Sequence, residues 1–291
     1  MPRRRVPPPV GSHLRTAGGL VKGALADADR VGAQAAQVFV GNPRGWSTST
    51  GDPAEDAAFR AGCEQRGLRI FVHSPYLVNL ASPTPGTAER STHLVAHSLL
   101  RAAQVGAEGV VVHTGSTVTS TGQDGVVAAL AQVRALLLPL LERLPDDGPA
   151  LLLEPTAGQG RSLCATVEDL ERYLAALDRH PKVGVCLDTC HAYAAGHDLA
   201  APGGMRRTLD ALVRVVGPGR LQLVHANDSG DPCGSHRDRH ERIGKGRIGE
   251  ASFAELLADP ALSGVPVVIE TPGDVDDHAH DVALLQRLRD R

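Results

Sequence analysis

The sequence predicts an α/β protein, a single (β/α)8 TIM barrel, and three observations carry that prediction. The chain has 291 residues, enough for the roughly 250 that one such barrel needs. Eight short runs rich in Val, Ile, Leu and Ala alternate with stretches of helical periodicity, the pattern of a parallel sheet wrapped by helices. The third to the eighth runs each end on His, Asp or Glu, and in a barrel those ends converge on one face.

The runs follow one another at 10–13, 36–40, 68–73, 109–113, 150–154, 183–188, 221–225 and 265–270. The first reads Val-Gly-Ser-His and is followed by Gly18 and Gly19. The third to the eighth close on His73, His113, Glu154, Asp188, His225 and Glu270. Between the fifth and sixth runs, residues 166–180 read as a helix. Thr166 stands where a cap is needed, Glu168 and Asp169 suit the first turn, and Val167, Leu170, Leu174 and Leu177 share a face. Residues 124–144 read likewise, with Pro139 expected to kink or end the helix. No low-complexity linker interrupts the chain and the eight units share no close repeat. Residues 1–9, with three arginines and four prolines, are expected to form an extended, poorly ordered arm, and residues 10–291 a single catalytic domain.

Hydrophobic residues make up 42% of the chain and charged residues 22%, and no uninterrupted apolar run reaches the roughly 20 residues of a membrane span, so no membrane association is expected. The arginines at 3, 4 and 5 are not followed by an apolar segment, so the N-terminus does not read as a secretory signal and a cytoplasmic location is expected. Cysteines 63, 164, 186, 190 and 233 form an odd set, which suits reduced thiols. Cys186 and Cys190 lack the second pair that a structural zinc site would require. With a net charge of −3 the chain is not a general polyanion binder. Any attraction for phosphate must be local or supplied by metal ions.

Two short motifs add ligand types to the strand ends. Asp188-Thr-Cys-His191 follows the sixth run, and Asp238-Arg-His240 lies in the loop after the seventh. The candidate ligands are then His73, His113, Glu154, Asp188, His191, His225, Asp238, His240 and Glu270: five histidines and four carboxylates. Nine is too many for one zinc, which takes three or four protein ligands, but suits three zinc ions if one carboxylate bridges two of them. Imidazole and carboxylate without thiolate also suit manganese or iron. Three dications against four carboxylates leave a net positive site that attracts an anion, and clustered metals favour phosphodiester hydrolysis. The loop 237–247, with five basic residues against two acidic ones, adds positive potential nearby.

Ordered motifs run from about Gly11 to Pro272. They are Gly-Ser-His at 11–13 with Gly18-Gly19, Asn42-Pro-Arg-Gly-Trp46, His73-Ser-Pro-Tyr-Leu-Val-Asn-Leu80, Glu154-Pro-Thr-Ala-Gly-Gln-Gly160, Leu187-Asp-Thr-Cys-His191, His225-Ala-Asn-Asp-Ser229, Asp238-Arg-His-Glu241 with Ile243-Gly-Lys-Gly246, and Glu270-Thr-Pro272. In this series the sequence resembles the endonuclease IV family of apurinic/apyrimidinic endonucleases. The resemblance implies a monomer that acts on double-stranded DNA containing abasic sites, cutting on their 5′ side to leave a 3′-hydroxyl, with 3′-phosphodiesterase activity besides. It also implies three zinc ions: one on His73, His113 and Glu154, a second on Glu154, Asp188, His225 and Glu270, a third on His191, Asp238 and His240. Glu154 is the bridge and the catalytic carboxylate. Arg44 and Tyr76, with Leu77 beside it, match positions that enter the DNA at the lesion. Three positions depart from the family: Pro155 where Asn is usual, Gly45 where a larger side chain is common, and Gly230 where Lys is common. The competing reading is a metal-dependent sugar isomerase or epimerase on the same barrel, which would leave Asp238, His240, Arg44 and Tyr76 without a purpose.

Overall fold

The computed structural model describes residues 5–118 and 122–291. Its eight-stranded parallel barrel closes in the order β1 (Val10–His13), β2 (Ala35–Val38), β3 (Arg69–His73), β4 (Gly109–His113), β5 (Ala150–Glu154), β6 (Val183–Asp188), β7 (Leu221–His225) and β10 (Val267–Ile269), with β10 pairing back onto β1. The short strands β8 (Asp228–Ser229) and β9 (His240–Glu241) pair antiparallel above β7. Outside run a π-helical turn, Leu20–Leu25, and helices α1 (Ala26–Val31), α2 (Pro53–Arg66), α3 (Thr87–Val105), α4 (Gly122–Leu141), α5 (Leu170–Ala176), α6 (Thr189–Ala194), α7 (Gly204–Val216), α8 (Glu250–Ala258) and α9 (Val275–Arg289).

Period-two alternation along the strands separates two cores. Val72, Val110, Val112, Leu151, Leu153 and Val224 face the helices and join the larger core. Ala35, Phe71, Val111, Leu152, Cys186, Leu223 and Val268 face inward and form a separate cluster, one residue from each of seven strands. On β1 the inward place falls to Gly11, where a Cβ would overlap the Ala35 carbonyl oxygen. This apolar layer plugs the barrel. Two residues further along each strand the side chain points the same way, one layer higher, which positions the site.

The strand boundaries differ from expectation for local reasons. The second strand stops at Val38, and Phe39 beyond it sets its ring against His13, His73 and Tyr76 at centroid distances of 4.6, 5.6 and 5.3 Å, tilted to the first two and edge-on to the third. Leu68 stays out of the third because its N–H closes the end of α2 on the Cys63 carbonyl (2.9 Å). Pro266 has no N–H to give, so the last strand begins at Val267, whose N–H donates to the Pro9 carbonyl (2.8 Å), and Glu270 stands just beyond its end.

The helix expected over 166–180 is shorter, and Thr166 does not cap it. The Asp169 carboxylate instead accepts from the N–H groups of Ala165 and Thr166, both at 3.0 Å, and the N–H groups of residues 169–171 bond three residues back, so α5 begins at Leu170. Its expected inner face, Val167, Leu170, Leu174 and Leu177, is buried. Pro139 lies in the last turn of α4, which continues to Leu141. That helix also corrects the expectation drawn from apolar runs, since an 18-residue window in it has a mean hydropathy of 1.6, enough by length and composition to cross a membrane. In the barrel it buries the stripe Ala129, Val133, Leu137 and Leu141.

Of the arm 1–9, residues 1–4 lie outside the described residues. The rest is tied down: the Val6 N–H donates to Ser263 Oγ (3.0 Å), the Val6 carbonyl accepts from Gly264 (2.9 Å), and Arg289 reaches the Pro8 carbonyl (3.1 Å).

Candidate metal centre

Counting two residues on from each apolar lumen position gives one polar residue per strand: His13, Gln37, His73, His113, Glu154, Asp188, His225 and Glu270. Sheet register levels them. His113 pairs with Glu154, and an irregularity after Val185 brings Asp188 level with His225. His191, on the first turn of α6, Asp238, just before β9, and His240, its first residue, complete the group from above. All nine residues expected from the sequence are therefore brought together. His13, Gln37 and Asn227 were given no role in the sequence reading, although the inward parity of Gly11 and Ala35 marks the first two.

Glu154 is the centre of this layer and is fully buried. Its Oε2 lies 3.3 Å from His73 Nε2 and 3.4 Å from His113 Nε2, and its Oε1 lies 3.0 Å from His225 Nδ1 and 3.3 Å from His191 Nδ1. His225 Nδ1 is also 3.2 Å from Glu270 Oε2, and His191 Nε2 is 3.3 Å from Asp238 Oδ2. The rings of His225, His73, His113, His191 and His240 follow one another at centroid spacings of 6.0, 5.2, 5.8 and 5.7 Å.

Hydrogen bonds to carbonyl oxygens fix three imidazoles in one tautomer, because a carbonyl can only accept. His73 Nδ1–H donates to Ser74 (2.7 Å), His191 Nδ1–H to Pro155 (3.1 Å) and His240 Nδ1–H to Glu270 (3.1 Å). Pro155 thus keeps the one backbone group that the centre uses, its carbonyl, and lacks only the N–H. Each ring then presents its Nε2 lone pair to a carboxylate oxygen: His73 to Glu154, His191 to Asp238, and His240 to Asp238 Oδ1 at 3.1 Å and Asp188 Oδ2 at 3.5 Å. His240 Nε2 is buried and makes no well-directed hydrogen bond to any neighbour. Lone pairs facing carboxylate oxygens repel unless a cation lies between them, so these donors fit a metal.

Protons play that part within the protein itself. Burial would push the Glu154 carboxyl up, but His225, His113 and His191 outweigh it and hold it well below the usual carboxylate range. Burial would likewise lower His191 and His225; for His191 the carboxylates of Asp188, Asp238 and Glu154 prevail, for His225 Cys186, Glu270 and Glu154, and both are raised well above an ordinary histidine. His240 is raised to about 9 against its burial, chiefly by Asp188 and Asp238.

Among the described residues, ligand atoms that could hold one ion lie within 4.8 Å of one another in four groups. These are His73, His113 and Glu154; Glu154, Asp188, His225 and Glu270; His191, Asp238 and His240; and Asp188, Cys190 and His240. Cys190 was not expected, and burial pushes its thiol up to about 12. Neighbouring side chains aim the set. Asn227 Nδ2 donates to Asp188 Oδ2 (2.7 Å) while its Oδ1 accepts from the Glu270 N–H (2.7 Å).

At the rim, Arg44 and Tyr76 are exposed and Leu77 is half-buried. The Tyr76 N–H donates to the Pro43 carbonyl (3.0 Å), joining the loops after β2 and β3, and its ring stands 5.8 Å from His73 and 6.5 Å from His113. The basic loop 237–247 is less free than its composition suggests, since Arg242 turns inward to bond Asp281 (3.1 Å) and Asp277. The cavity of 540 Å³ beside Leu221, Asp259 and Val265 lies at the opposite end of the barrel and contains none of the nine.

A family profile described as a xylose isomerase-like TIM barrel matches residues 25–289. The chain is 56% identical to a protein of Streptomyces avermitilis named probable endonuclease 4, over 97% of this chain and 90% of that one. It is 37% identical to a protein of the same name from Chloroflexus aurantiacus, over 97% and 98%. Its structure is similar to that of endonuclease IV from Thermus thermophilus, with 36% identity, a TM-score of 0.85 and coverage of 97% and 99%. A D-tagatose 3-epimerase-like protein shares the fold alone, at 18% identity, a TM-score of 0.73 and coverage of 97% of each chain.

Asp228, fully buried on β8, holds the segment 244–249 that follows β9 in place. Its Oδ1 accepts from the N–H groups of Ser229 and Ile248, both at 2.8 Å, and its Oδ2 from Gly244, Gly246 and Gly249 at 3.0, 3.1 and 3.3 Å. Asp228→Ala strands these donors and should cost about 3 kcal/mol or more in denaturant unfolding, with new protease sensitivity at 242–249. A loss below about 0.5 kcal/mol, the size of an ordinary surface change, would show that the loop does not depend on it.

Proposed function

The chain belongs to the endonuclease IV family of apurinic/apyrimidinic endonucleases, on the xylose isomerase-like TIM barrel, and from that premise we propose that it hydrolyses the phosphodiester bond 5′ to abasic sites through three zinc ions. The observation that carries the zinc reading is the spacing of donors. Three of the four groups whose ligand atoms lie within 4.8 Å coincide with the sets His73, His113 and Glu154; Glu154, Asp188, His225 and Glu270; and His191, Asp238 and His240. Glu154 belongs to two of them, which supports its role as bridge and catalytic carboxylate. Oxygen and imidazole donors leave manganese or iron compatible at individual positions.

Bound there, divalent cations would act as Lewis acids that activate a water and neutralise charge on the phosphoryl group. The side chains set the rest. Glu154, with one oxygen toward His73 and His113 and the other toward His191 and His225, suits orienting the attacking water as an ionised carboxylate. The exposed ring of Tyr76 stands beside His73 and His113, so it suits contact with a nucleotide turned out of the duplex toward these donors. Arg44 and Tyr76, with Leu77 behind them, suit a wedge that opens the DNA at the lesion, the missing base having already lowered the cost of unstacking. Arg237 and Arg239 remain largely exposed and suit the phosphate backbone. The same centre would trim blocked 3′ ends, because the bond cleaved is of the same kind. All nine donors come from one barrel, so a single chain suffices, and five free cysteines suit a reducing cytoplasm.

A labelled duplex with one abasic site tests this reading. The wild-type protein should leave a 3′-hydroxyl at the 5′ side of the lesion, and Glu154→Gln should cut at least about 100-fold more slowly, some 2.7 kcal/mol in the barrier, while remaining folded. Products ending in an unsaturated sugar would reveal lyase chemistry and overturn the hydrolytic mechanism. Arg44→Ala and Tyr76→Ala should keep their metal and bind abasic duplex more weakly, with a smaller loss for undamaged duplex at the same salt. Equal losses on both would remove these residues from lesion recognition.

A further inference from the structure

Gln37 is the one amide among the eight polar-layer residues taken one per strand and is fully buried, on a strand whose four residues are all buried. A primary amide so placed must have partners, and here the two ends have different ones. Its Nε2 lies 2.7 Å from Glu270 Oε1, and its Oε1 lies 2.9 Å from His225 Nε2. The orientation follows from chemistry alone. An ionised carboxylate only accepts, so the nitrogen end must face Glu270, and the carbonyl end is then left for His225. That carbonyl also only accepts, so His225 Nε2 must carry the hydrogen. The His225 Nδ1 lone pair is thereby directed toward Glu154 Oε1 (3.0 Å) and Glu270 Oε2 (3.2 Å). The second amide hydrogen faces His13 Nδ1 at 2.9 Å, which itself lies 3.1 Å from Glu270 Oε1. One amide therefore occupies Glu270 Oε1 and leaves Oε2 facing inward.

We propose that Gln37 is a positioning residue for the metal centre: it fixes the tautomer of His225 and selects which oxygen of Glu270 is free, and so tunes the ion that these two residues share with Glu154 and Asp188. The proposal rests on reading those four residues as ligands of one ion. Gln37 Oε1 accepts from His225 Nε2 at 2.9 Å, with the Cys186 thiol as a further neighbour of the same ring. The residue touches neither the rim nor the DNA-facing loops, so its effect passes through the metal.

Gln37→Met keeps the length of the side chain and removes both polar ends. Loss of a partner that orients a ligand typically weakens metal binding about 10–100-fold, and competition of the zinc-loaded protein against a chelator of known affinity should read such a loss for one ion per chain, the others holding as in the wild type. The visible spectrum of the cobalt(II)-substituted variant should shift, a change that a merely space-filling residue would not produce. Gln37→Glu retains an oxygen toward His225 but loses the donor toward Glu270, and should weaken the same ion; it carries the test if the methionine variant does not fold. A folded variant with wild-type chelator competition and an unchanged cobalt spectrum overturns the proposal and leaves the ligand reading intact. A wild-type protein that holds no metal overturns both.

Discussion

A carboxylate with no exposed surface, touched by four imidazoles, is the constraint on which the rest of this structure depends. Removing the charge of Glu154 from water costs several kcal/mol unless positive charge is brought to it, and the barrel brings it from β3, β4, β7 and α6 at 3.0–3.4 Å. The remaining acids sharpen the requirement. With Asp188, Asp238 and Glu270, the nine candidate donor residues comprise four carboxylates against five histidines, and three of the histidines spend their Nδ1 hydrogens on backbone carbonyls. What is left is a set of lone pairs directed at oxygens, an arrangement that divalent cations stabilise and that water alone would not.

The barrel meets this demand by stacking two layers of opposite character. Below, the apolar residues from Ala35 to Val268 exclude water and fix the spacing of the strands. Above, the same parity of the same strands supplies the polar ring, so the rigidity of the packed layer is passed directly to the donors. The loops complete the centre and are fastened to it. Asp228 gathers the N–H groups of the segment after β9, Asn227 bridges Asp188 to the Glu270 backbone, and Arg242 anchors the same segment to α9. On the proposed reading, recognition and chemistry are separated in space, with Arg44 and Tyr76 on loops that carry none of the nine donor residues.

Much of this was legible in the sequence because it depends on local pattern. Strand runs ending in His, Asp or Glu mark both the barrel and the face on which its polar residues gather, and the first, fourth, fifth, sixth and seventh strands begin and end where the runs do. What escaped depends on three-dimensional partners. Thr166 is a good cap by type, but Asp169 reaches back to the exposed N–H groups first. Arg242 counts as surface charge by composition and is in fact bonded to the buried Asp281. Gln37 sits in a run that reads as plain core, and only the parity shared with Phe71 and His73 reveals that it belongs to the site. The grouping of donors into three ions came from family resemblance, and the spacing of the donors agrees with it while adding Cys190 beside Asp188 and His240.

The central claim is that the polar layer of this barrel is a multinuclear metal centre, and native mass spectrometry of protein purified without chelator tests it most directly. The account predicts a mass excess corresponding to three zinc ions per chain, retained through desalting and lost together with the ordered loop after β9 on acidification. A chain that carries a single ion, or none after incubation with zinc, would contradict it.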